Sequence, residues 1–371
     1  MSAIEVRFGK SFNPDAVAAV QELLAQTREI EPDFLLFFCS SKYDLAALGK
    51  AIEASFTCPA FGCTTAGEIL GGEGYIEGSI VCAAVASGKI SMRLFPIMDL
   101  QAFVKATADP MRSFFETYWK HSFALLLIDG LSALEEVVVG YINQTFKGLV
   151  PLIGASAADD FRLAHTYVYF EGAFHENAAV LAFFETSLPF QAFHIHHFVP
   201  TGMRLVVTEA DPATRTVMEI NGLPAADEYA RAIGVTAAEL DLKILQENPL
   251  ILQAGGNHYV RATRQANPDG SLEFYCAVDV GTVLMMVKPA ESLVANLERN
   301  LNEIQKTLKP ALIFGSDCVA RRHELQRTGE LEEAKRALSR YPFIGLSTYG
   351  EQYYGVHVNH SLTALVLGDE A

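Results

Sequence analysis

The amino-acid sequence predicts an α/β protein in which α+β layers contain repeated strand–helix–strand units and mixed and antiparallel sheets. One pattern occurs three times: an apolar strand, a polar turn, a helix, the signature Pro-x-apolar-Gly-x-Ser/Thr and a second apolar strand. Between the second and third copies, short apolar runs alternate with turn signals, as in antiparallel strands. The length of 371 residues indicates two domains.

The three copies follow the same order of elements. The first has a strand at 34–39, a helix at 45–56, the signature at 59–64 and a closing strand at 79–85. The second has these elements at 123–128, 135–146, 151–156 and 178–184. The third has them at 311–314, 330–339, 342–347 and 363–367, with a break predicted at Gly315-Ser316. Strands this apolar are expected to be buried on both faces.

The signature glycine is the position at which the copies should match most closely. Gly62, Gly154 and Gly345 occupy it. Glycine after a proline that enters a strand permits a bulge or the close approach of another backbone. We therefore predict that the three units superimpose and that these glycines take equivalent places.

The region between the second and third copies has a different pattern. It predicts strands at 193–198, 205–209, 216–220, 250–252, 258–264, 273–278 and 283–286. Helices are predicted at 225–233, closed by Gly234, and at 293–308.

Composition excludes several classes of protein. The net charge of −16 repels phosphate backbones, so no nucleic-acid partner is expected. No apolar run reaches the roughly 18 residues that span a bilayer, and the first ten residues carry Glu5, Arg7 and Lys10 without an apolar stretch. The sequence therefore predicts a cytoplasmic protein without membrane insertion. It carries no pattern that sets the oligomeric state.

The six cysteines form no Cys-x-x-Cys pair and have no zinc-site spacing. Several lie in apolar runs, including Cys39 and Cys82. Small buried hydrophobes in a reducing compartment explain this usage. We predict that Cys39 and Cys82 are buried free thiols.

Motifs for catalysis are weak. The glycines at 71–74 are followed by no phosphate-loop lysine. Ser132 and Ser156 lie outside any Gly-x-Ser-x-Gly elbow, and the carboxylates are scattered. The sequence therefore favours a binding protein over an enzyme.

Three histidines on the strand predicted at 193–198 are the densest unusual feature. Alternation places His194 and His196 on one face and His197 on the other, with Phe193 and Ile195. A neutral imidazole in an apolar wall is an arrangement that ligates haem iron. A hydrogen-bonded or solvated strand is the alternative.

Further residues are candidates for the same site. Arg204 and Arg162 are candidate partners for haem propionates, because guanidinium pairs well with carboxylate. A second group, His357 to His360, follows Tyr349, Tyr353 and Tyr354 and is expected to line the same cavity.

Several stretches resemble the FIST family. Residues 37–45 and 61–69 resemble the N-terminal FIST domain, and residues 221–225, 229–230, 318–322 and 347–351 resemble the C-terminal one. The resemblance implies a FIST N domain at 1–190, a FIST C domain at 191–371 and a bacterial signal-transduction role in sensing small molecules. The lack of a fused output domain, the run His196-His197-Phe198 and residues 355–359 are similar to the haem-binding, nitric-oxide-sensing NosP branch.

That branch implies haem b, whose iron binds nitric oxide, and a partner that is a histidine kinase or a cyclic-di-GMP enzyme (a diguanylate cyclase or phosphodiesterase). The expected order of iron ligands is His197, His196, His194 and then His357, with Arg204 among the cofactor-binding residues. The first alternative is a FIST module that senses an apolar or amino-acid ligand without iron. The second is a hydrolase or transferase that uses the Gly-x-Thr/Ser loops.

Overall fold

A computed structural model describes residues 3–106, 111 and 121–369 of the chain. Within that part the fold is α+β, as predicted, with mixed and antiparallel sheets and nine α-helices. The helices are α1 (Ala16–Thr27), α2 (Leu45–Ser55), α3 (Leu100–Lys105), α4 (Glu135–Thr145), α5 (Ala225–Ile233), α6 (Leu242–Glu247), α7 (Leu293–Thr307), α8 (Val319–Thr328) and α9 (Leu331–Leu338).

The strands form four sheets. The first contains, in spatial order, β1 (Glu5–Ser11), β6 (Ile80–Ala86), β2 (Phe34–Ser40), β3 (Ala60–Thr65), β10 (Val168–Phe170) and β11 (Ala173–His175). The second contains β25 (Val356–Val358), β24 (Glu351–Tyr353), β9 (Leu152–Ser156), β8 (Ser122–Ile128), β12 (Ala179–Thr186) and β7 (Ile90–Ile97). The third contains β13 (Phe190–Ile195), β26 (Leu362–Gly368), β22 (Pro310–Cys318), β23 (Phe343–Thr348), β4 (Glu68–Leu70) and β5 (Gly74–Ile76). The fourth contains β18 (Asn257–Arg261), β17 (Leu250–Ala254), β21 (Val283–Pro289), β14 (Phe198–Asp211), β15 (Thr216–Ile220), β20 (Leu272–Phe274) and β19 (Thr263–Ala266), with β16 (Leu223–Pro224) paired to β15.

The first three sheets share one plan, which confirms the repeat. In each, two central strands pair in parallel, as β2 with β3, β8 with β9, and β22 with β23. A closing strand pairs antiparallel with the first of them. The hairpin between the second parallel strand and the closing strand of each unit joins another unit's sheet: β4–β5 pairs with β23, β10–β11 with β3, and β24–β25 with β9.

The three sheets enclose a common core and carry helices on their outer faces. Phe38, Leu127 and Phe314, one from the first strand of each unit, belong to one central apolar cluster. Their sequence neighbours Phe37 and Leu126 point outward, into the clusters formed with α1 and α2 and with α3 and α4. Because both faces of each strand are buried, the sequence of each strand is a continuous run of mostly apolar residues.

The signature glycines take equivalent places, as predicted. Each of them is the third residue of the second parallel strand of its unit, at Gly62, Gly154 and Gly345. A Cβ atom on each would lie 2.2, 2.5 and 2.1 Å, respectively, from a carbonyl oxygen of the neighbouring parallel strand. The glycine therefore permits the close approach of a backbone.

The prediction for the cysteines is also confirmed, because all six are free thiols and Cys39 and Cys82 are fully buried. Among the described residues, no helix combines the length and the apolar character needed to cross a bilayer.

Four predicted elements are wrong. The strand predicted at 258–264 is two strands, because β18 ends at Arg261 and β19 begins at Thr263. The strand predicted at 193–198 is two strands, because β13 ends at Ile195 and β14 begins at Phe198. The break predicted at Gly315-Ser316 lies within β22, and α8, which the sequence analysis missed, follows that strand directly. The strand predicted at 273–278 ends at Phe274.

Candidate functional site

A cavity of about 300 Å³ lies where the second sheet, the third unit and the fourth sheet meet. Its walls come from the loops after β8 and β9, the starts of α4 and α8, the chain from β25 onward, and the region of β15, β19 and α6. This volume is at the lower end of the range for small-molecule sites. The cavity is therefore suited to a small ligand.

The rim of the cavity is apolar. Leu131, Phe161, Leu163 and Leu242 line it and remain between 40% and 53% exposed. Large apolar side chains grouped around an opening are typical of a ligand-binding groove. The rim therefore favours a ligand that has an apolar part.

The wall of the cavity next to α4 carries a buried ion-pair network. The Nη2 atom of Arg215 lies 2.6 Å from Glu135 Oε2 and 2.7 Å from Glu136 Oε2. Burial acts to raise the pKa of Glu136, but nearby His357 and Arg215 outweigh it and lower that pKa. Burial acts to lower the pKa of Arg215, and the two glutamates raise it. Glu136 and Arg215 are therefore ionised at neutral pH.

His357 also lines the cavity, although the residue is only 2% exposed. Its Nδ1 atom lies 3.2 Å from Gln352 Nε2, and its ring packs against the Cα atom of Gly350. Burial lowers the pKa of His357, despite the opposing effect of Glu136. The imidazole is therefore neutral at neutral pH.

The predicted second group is largely brought together here. Asn359, His360 and Tyr349 line the same cavity as His357. Tyr353 and Tyr354 do not line it, and Tyr353 lies instead 5.4 Å, between ring centroids, from His194.

The three neighbouring histidines do not line this cavity. His194 lies in β13, and its ring is tilted relative to those of His196 and Tyr259, with ring centroids 5.7 Å away in each case. Burial, followed by the charge of His196, lowers the pKa of His194 to about 3. Burial, followed by His258, lowers the pKa of His196 to about 4. Both imidazoles are therefore neutral.

His197 belongs to a buried bridge rather than to an apolar strand face, which corrects its predicted surroundings. Its Nε2 atom lies 3.0 Å from Glu324 Oε1, and His360 Nε2 lies 2.9 Å from Glu324 Oε2. Burial acts to raise the pKa of Glu324, and the two histidine hydrogen bonds lower it well below its usual range. Strand alternation does not apply to His197, because it lies in the link between the end of β13 at Ile195 and the start of β14 at Phe198.

The two predicted propionate partners lie elsewhere. Arg204 is exposed on β14, opposite Met285 of β21. Arg162 donates from Nη2 to Ser41 Oγ at 2.6 Å and from Nε to the carbonyl oxygen of Asp159. Neither arginine lines the cavity.

The candidate iron ligands differ in whether a ring nitrogen is available. His196 Nδ1 accepts from the backbone N–H of Phe198, and His197 Nε2 is bonded to Glu324. Among the described residues, the buried Nε2 atom of His194 has no partner, but His194 is not part of the cavity wall. His357 is enclosed by its neighbours.

Local sequence patterns do not identify the charged residues of the site. Glu135 was placed only as the start of a helix, and Arg215 lies in a turn with no motif around it. The two residues meet only in the folded chain, where the turn before β15 lies beside the start of α4, a long-range contact that no local pattern encodes. Glu324 was missed together with α8.

Two family models match the chain. Residues 33–223 match the FIST N domain, and residues 225–354 match the FIST C domain. The two matches together span most of the sequence.

Comparisons with individual proteins give more distant similarities. An uncharacterized protein of Methanocaldococcus jannaschii is 22% identical over 212 residues, which are 52% of this chain and 39% of that protein. The chain thus spans well under half the length of this curated relative. Among solved structures, a cyanuric acid hydrolase from A. caulinodans has a TM-score of 0.35 and 9% identity, with 99% of both chains covered. Phosphoribosylformylglycinamidine synthase II from Thermotoga maritima has a TM-score of 0.21 and 10% identity, with 99% of this chain and 72% of that chain covered.

Proposed function

The chain belongs to the FIST family, whose domains are sensory modules of signal transduction, and we propose that it senses a small amphipathic molecule of the amino-acid type. The ligand would occupy the cavity beside Glu135, Arg215 and His357. The observation that carries this proposal is the combination of an apolar rim with an ion pair between the buried Glu135 and the half-buried Arg215.

The balance of charges favours a zwitterion. The cavity lining carries groups of both signs, the carboxylate of Glu135 and the guanidinium groups of Arg215 and Arg264. Just outside the lining, Glu136 pairs with Arg215 and Glu273 pairs with Arg264. A ligand with a single charge would leave that charge unmatched in a partly desolvated place, which is costly. A zwitterion brings both charges, and an apolar side chain would lie against the rim.

Ligand binding in the cavity would also affect the relative position of two helices. Its lining includes Leu242 and Gln246 of α6, in the region of the fourth sheet, and Ala320 and His323 of α8, in the third unit. A ligand that contacts both helices better in one arrangement shifts the population toward that arrangement. The output is therefore expected to be a change in the relative position of α6 and α8 that a partner protein reads.

Thermal unfolding with a matched ligand series tests this proposal. We expect L-leucine to raise the melting temperature, because a ligand that binds only the folded state adds about 2.7 kcal/mol at one hundred times its dissociation constant. Isoamylamine and 4-methylpentanoate, which share the apolar chain but carry one charge each, should give much smaller shifts. Equal shifts with all three compounds would reject recognition of a zwitterion. No shift with any amino acid would reject the ligand class.

Haem-dependent sensing of nitric oxide, with a histidine kinase or a cyclic-di-GMP enzyme as partner, is the more specific proposal. The unpartnered buried Nε2 atom of His194 in an aromatic setting supports it. Reconstitution with haem b should then give a sharp Soret band that moves on reduction and again with nitric oxide, and His194→Ala should weaken that band. A chain that takes up no haem would exclude this proposal and leave the amino-acid proposal intact.

A further inference from the structure

We propose that Glu136, Cys276 and His357 form a binding site for a divalent transition-metal ion of the zinc type, with the side-chain oxygen of Asn359 as the fourth ligand. One ligand atom from each of the first three residues lies within 4.8 Å of the other two. The site adjoins the cavity, because His357 and Asn359 both line it.

The donor atoms are close to the separation that a tetrahedral ion requires. Metal–ligand bonds of about 2.0 to 2.3 Å place the donors of a tetrahedral zinc site roughly 3.3 to 3.8 Å apart. Asn359 Oδ1 lies 2.6 Å from Cys276 Sγ and would have to move away from it. The limit of 4.8 Å between the other three donors is about 1 to 1.5 Å wider than the tetrahedral separation. Side-chain rotation suffices to close such a gap. Thiolate, imidazole and carboxylate together suit zinc better than magnesium or calcium.

The surroundings of Cys276 differ from those of most other cysteines in the chain. Cys39, Cys63 and Cys82 lie in apolar clusters. Cys276 is fully buried yet belongs to none of the apolar clusters formed by the described residues, and its Sγ atom lies 2.6 Å from Asn359 Oδ1. A cysteine that contributes only apolar packing is expected to have apolar neighbours.

The polar groups beside the site are not all satisfied. Within the described part of the chain, Gln352 Oε1 and Asn359 Nδ2 are buried without a hydrogen-bond partner. Buried polar atoms normally have a partner, so the local network is incomplete. A bound ion would reorganise this network by removing the thiol proton that Cys276 shares with Asn359.

Gln352 is placed to support His357 as a ligand. In the present arrangement the Gln352 Nε2–H donates to His357 Nδ1, while Gln352 Oε1 has no partner among the described residues. Rotating the amide by half a turn would let Oε1 accept from Nδ1–H, which leaves Nε2 of the imidazole free to bind an ion. Ligating histidines commonly donate their other ring N–H to such a partner.

A bound ion would change the local charge balance by one positive unit, which limits its affinity. A divalent ion that displaces the Cys276 proton adds one unit, and Glu135 and Glu136 lie on one side of it. Arg215, which bonds both glutamates, and Arg261, which donates to the carbonyl oxygen of His357, oppose binding. We therefore expect weaker binding than in a closed structural zinc site.

The first test uses the purified full chain, stripped with a chelator and titrated with Zn²⁺ or Co²⁺ alone. We expect one ion per chain, release of a proton, and a cobalt spectrum with a thiolate charge-transfer band and the visible bands of a tetrahedral site. A cobalt spectrum without the thiolate band, or no saturable binding, would overturn the proposal. This result does not depend on which molecule occupies the cavity.

The second test uses matched variants. Cys276→Ser and His357→Gln should each weaken Zn²⁺ affinity at least about 100-fold, because even residues that only support a ligand commonly account for 10- to 100-fold. Cys318→Ser and His323→Gln alter a cysteine and a histidine that line the same cavity outside the set, and both should bind as the wild type does. Circular dichroism checks that each variant is folded. Equal loss in the variants and their controls would contradict the assignment.

Discussion

At the scale of single residues, two units of the repeat bury a glutamate in the same way. Glu68 Oε2 accepts from the N–H of Ser79 at 3.2 Å and from its hydroxyl at 2.6 Å. Glu351 Oε2 accepts from the N–H of Ser361 at 3.2 Å and from its hydroxyl at 2.7 Å. Burial raises the pKa of Glu68 to about 7 and that of Glu351 well above its usual range. The equivalent residue in the second unit, Asp160, instead accepts from two serine hydroxyls.

The raised pKa of Glu68 predicts a pH dependence of stability. Between about pH 4.5 and pH 7 the folded chain holds a proton that the unfolded chain releases, so the free energy of unfolding falls as pH rises through this window. The loss is on the order of 3 kcal/mol. Glu68→Gln should make that part of the profile less steep in urea unfolding at a series of pH values, while the slope due to Glu351 remains.

The exposed Glu31 provides the control for this prediction. Glu31→Gln should leave the slope between pH 4.5 and pH 7 unchanged. If Glu68→Gln and the wild type lost stability in parallel over this window, the carboxyl of Glu68 would be ionised in the folded protein and the prediction would be wrong.

Local sequence patterns predicted part of the candidate site. His357, Asn359, His360 and Tyr349 stand close together in the sequence, so their common position could be inferred. The charged pair of Arg215 and Glu135 could not, because 80 positions separate the two residues and only tertiary packing joins them.

At the scale of elements, the glycine of the repeated signature is explained by the approach of two parallel strands. A Cβ atom on Gly62 would lie 2.2 Å from the carbonyl oxygen of Phe37, which belongs to the backbone and cannot turn aside. The sequence predicts a turn at Gly315, but the residue lies within β22. Glycine is needed there because a Cβ atom would lie 2.2 Å from Cζ of the Phe343 ring. The strands were predictable from their apolar runs, whereas the reason for each glycine was not.

This explanation predicts opposite effects for two glycine substitutions. Gly62→Ala should destabilise the chain by about 1 to 3 kcal/mol, because the added methyl group overpacks a strand pair. Gly140→Ala lies inside α4 with no atom within 4 Å of its Cβ position, and it should stabilise the chain by about 0.5 to 1 kcal/mol. Urea unfolding measures both. A neutral Gly62→Ala would contradict the close approach.

At the scale of the whole molecule, the exchange of hairpins joins the three units. The β4–β5 hairpin from the first unit completes the sheet of the third, and the β24–β25 hairpin from the third completes the sheet of the second. Strands that are far apart in the sequence meet in this way, so the sheet order could not be read from the repeat alone. A division of the chain at residue 190 separates strands that pair in the folded protein.

We therefore predict that residues 1–190 do not fold as the full chain does. In that fragment β4 and β5 lack β23, and β9 lacks β24. Calorimetry should show one cooperative transition for the three sheets of the full chain and no comparable transition for the fragment. A sharp transition of the fragment near the melting temperature of the full chain would contradict this prediction.

The central claim, that the cavity holds the sensed ligand, is tested most directly by filling the cavity. Ala320 lines it from α8, whereas Ala295 is exposed on α7 and lies outside it. In calorimetric titrations with L-leucine, Ala320→Trp should abolish the heat of binding while Ala295→Trp and the wild type bind equally. Undiminished binding by a folded Ala320→Trp variant would show that the ligand binds elsewhere and would contradict the account.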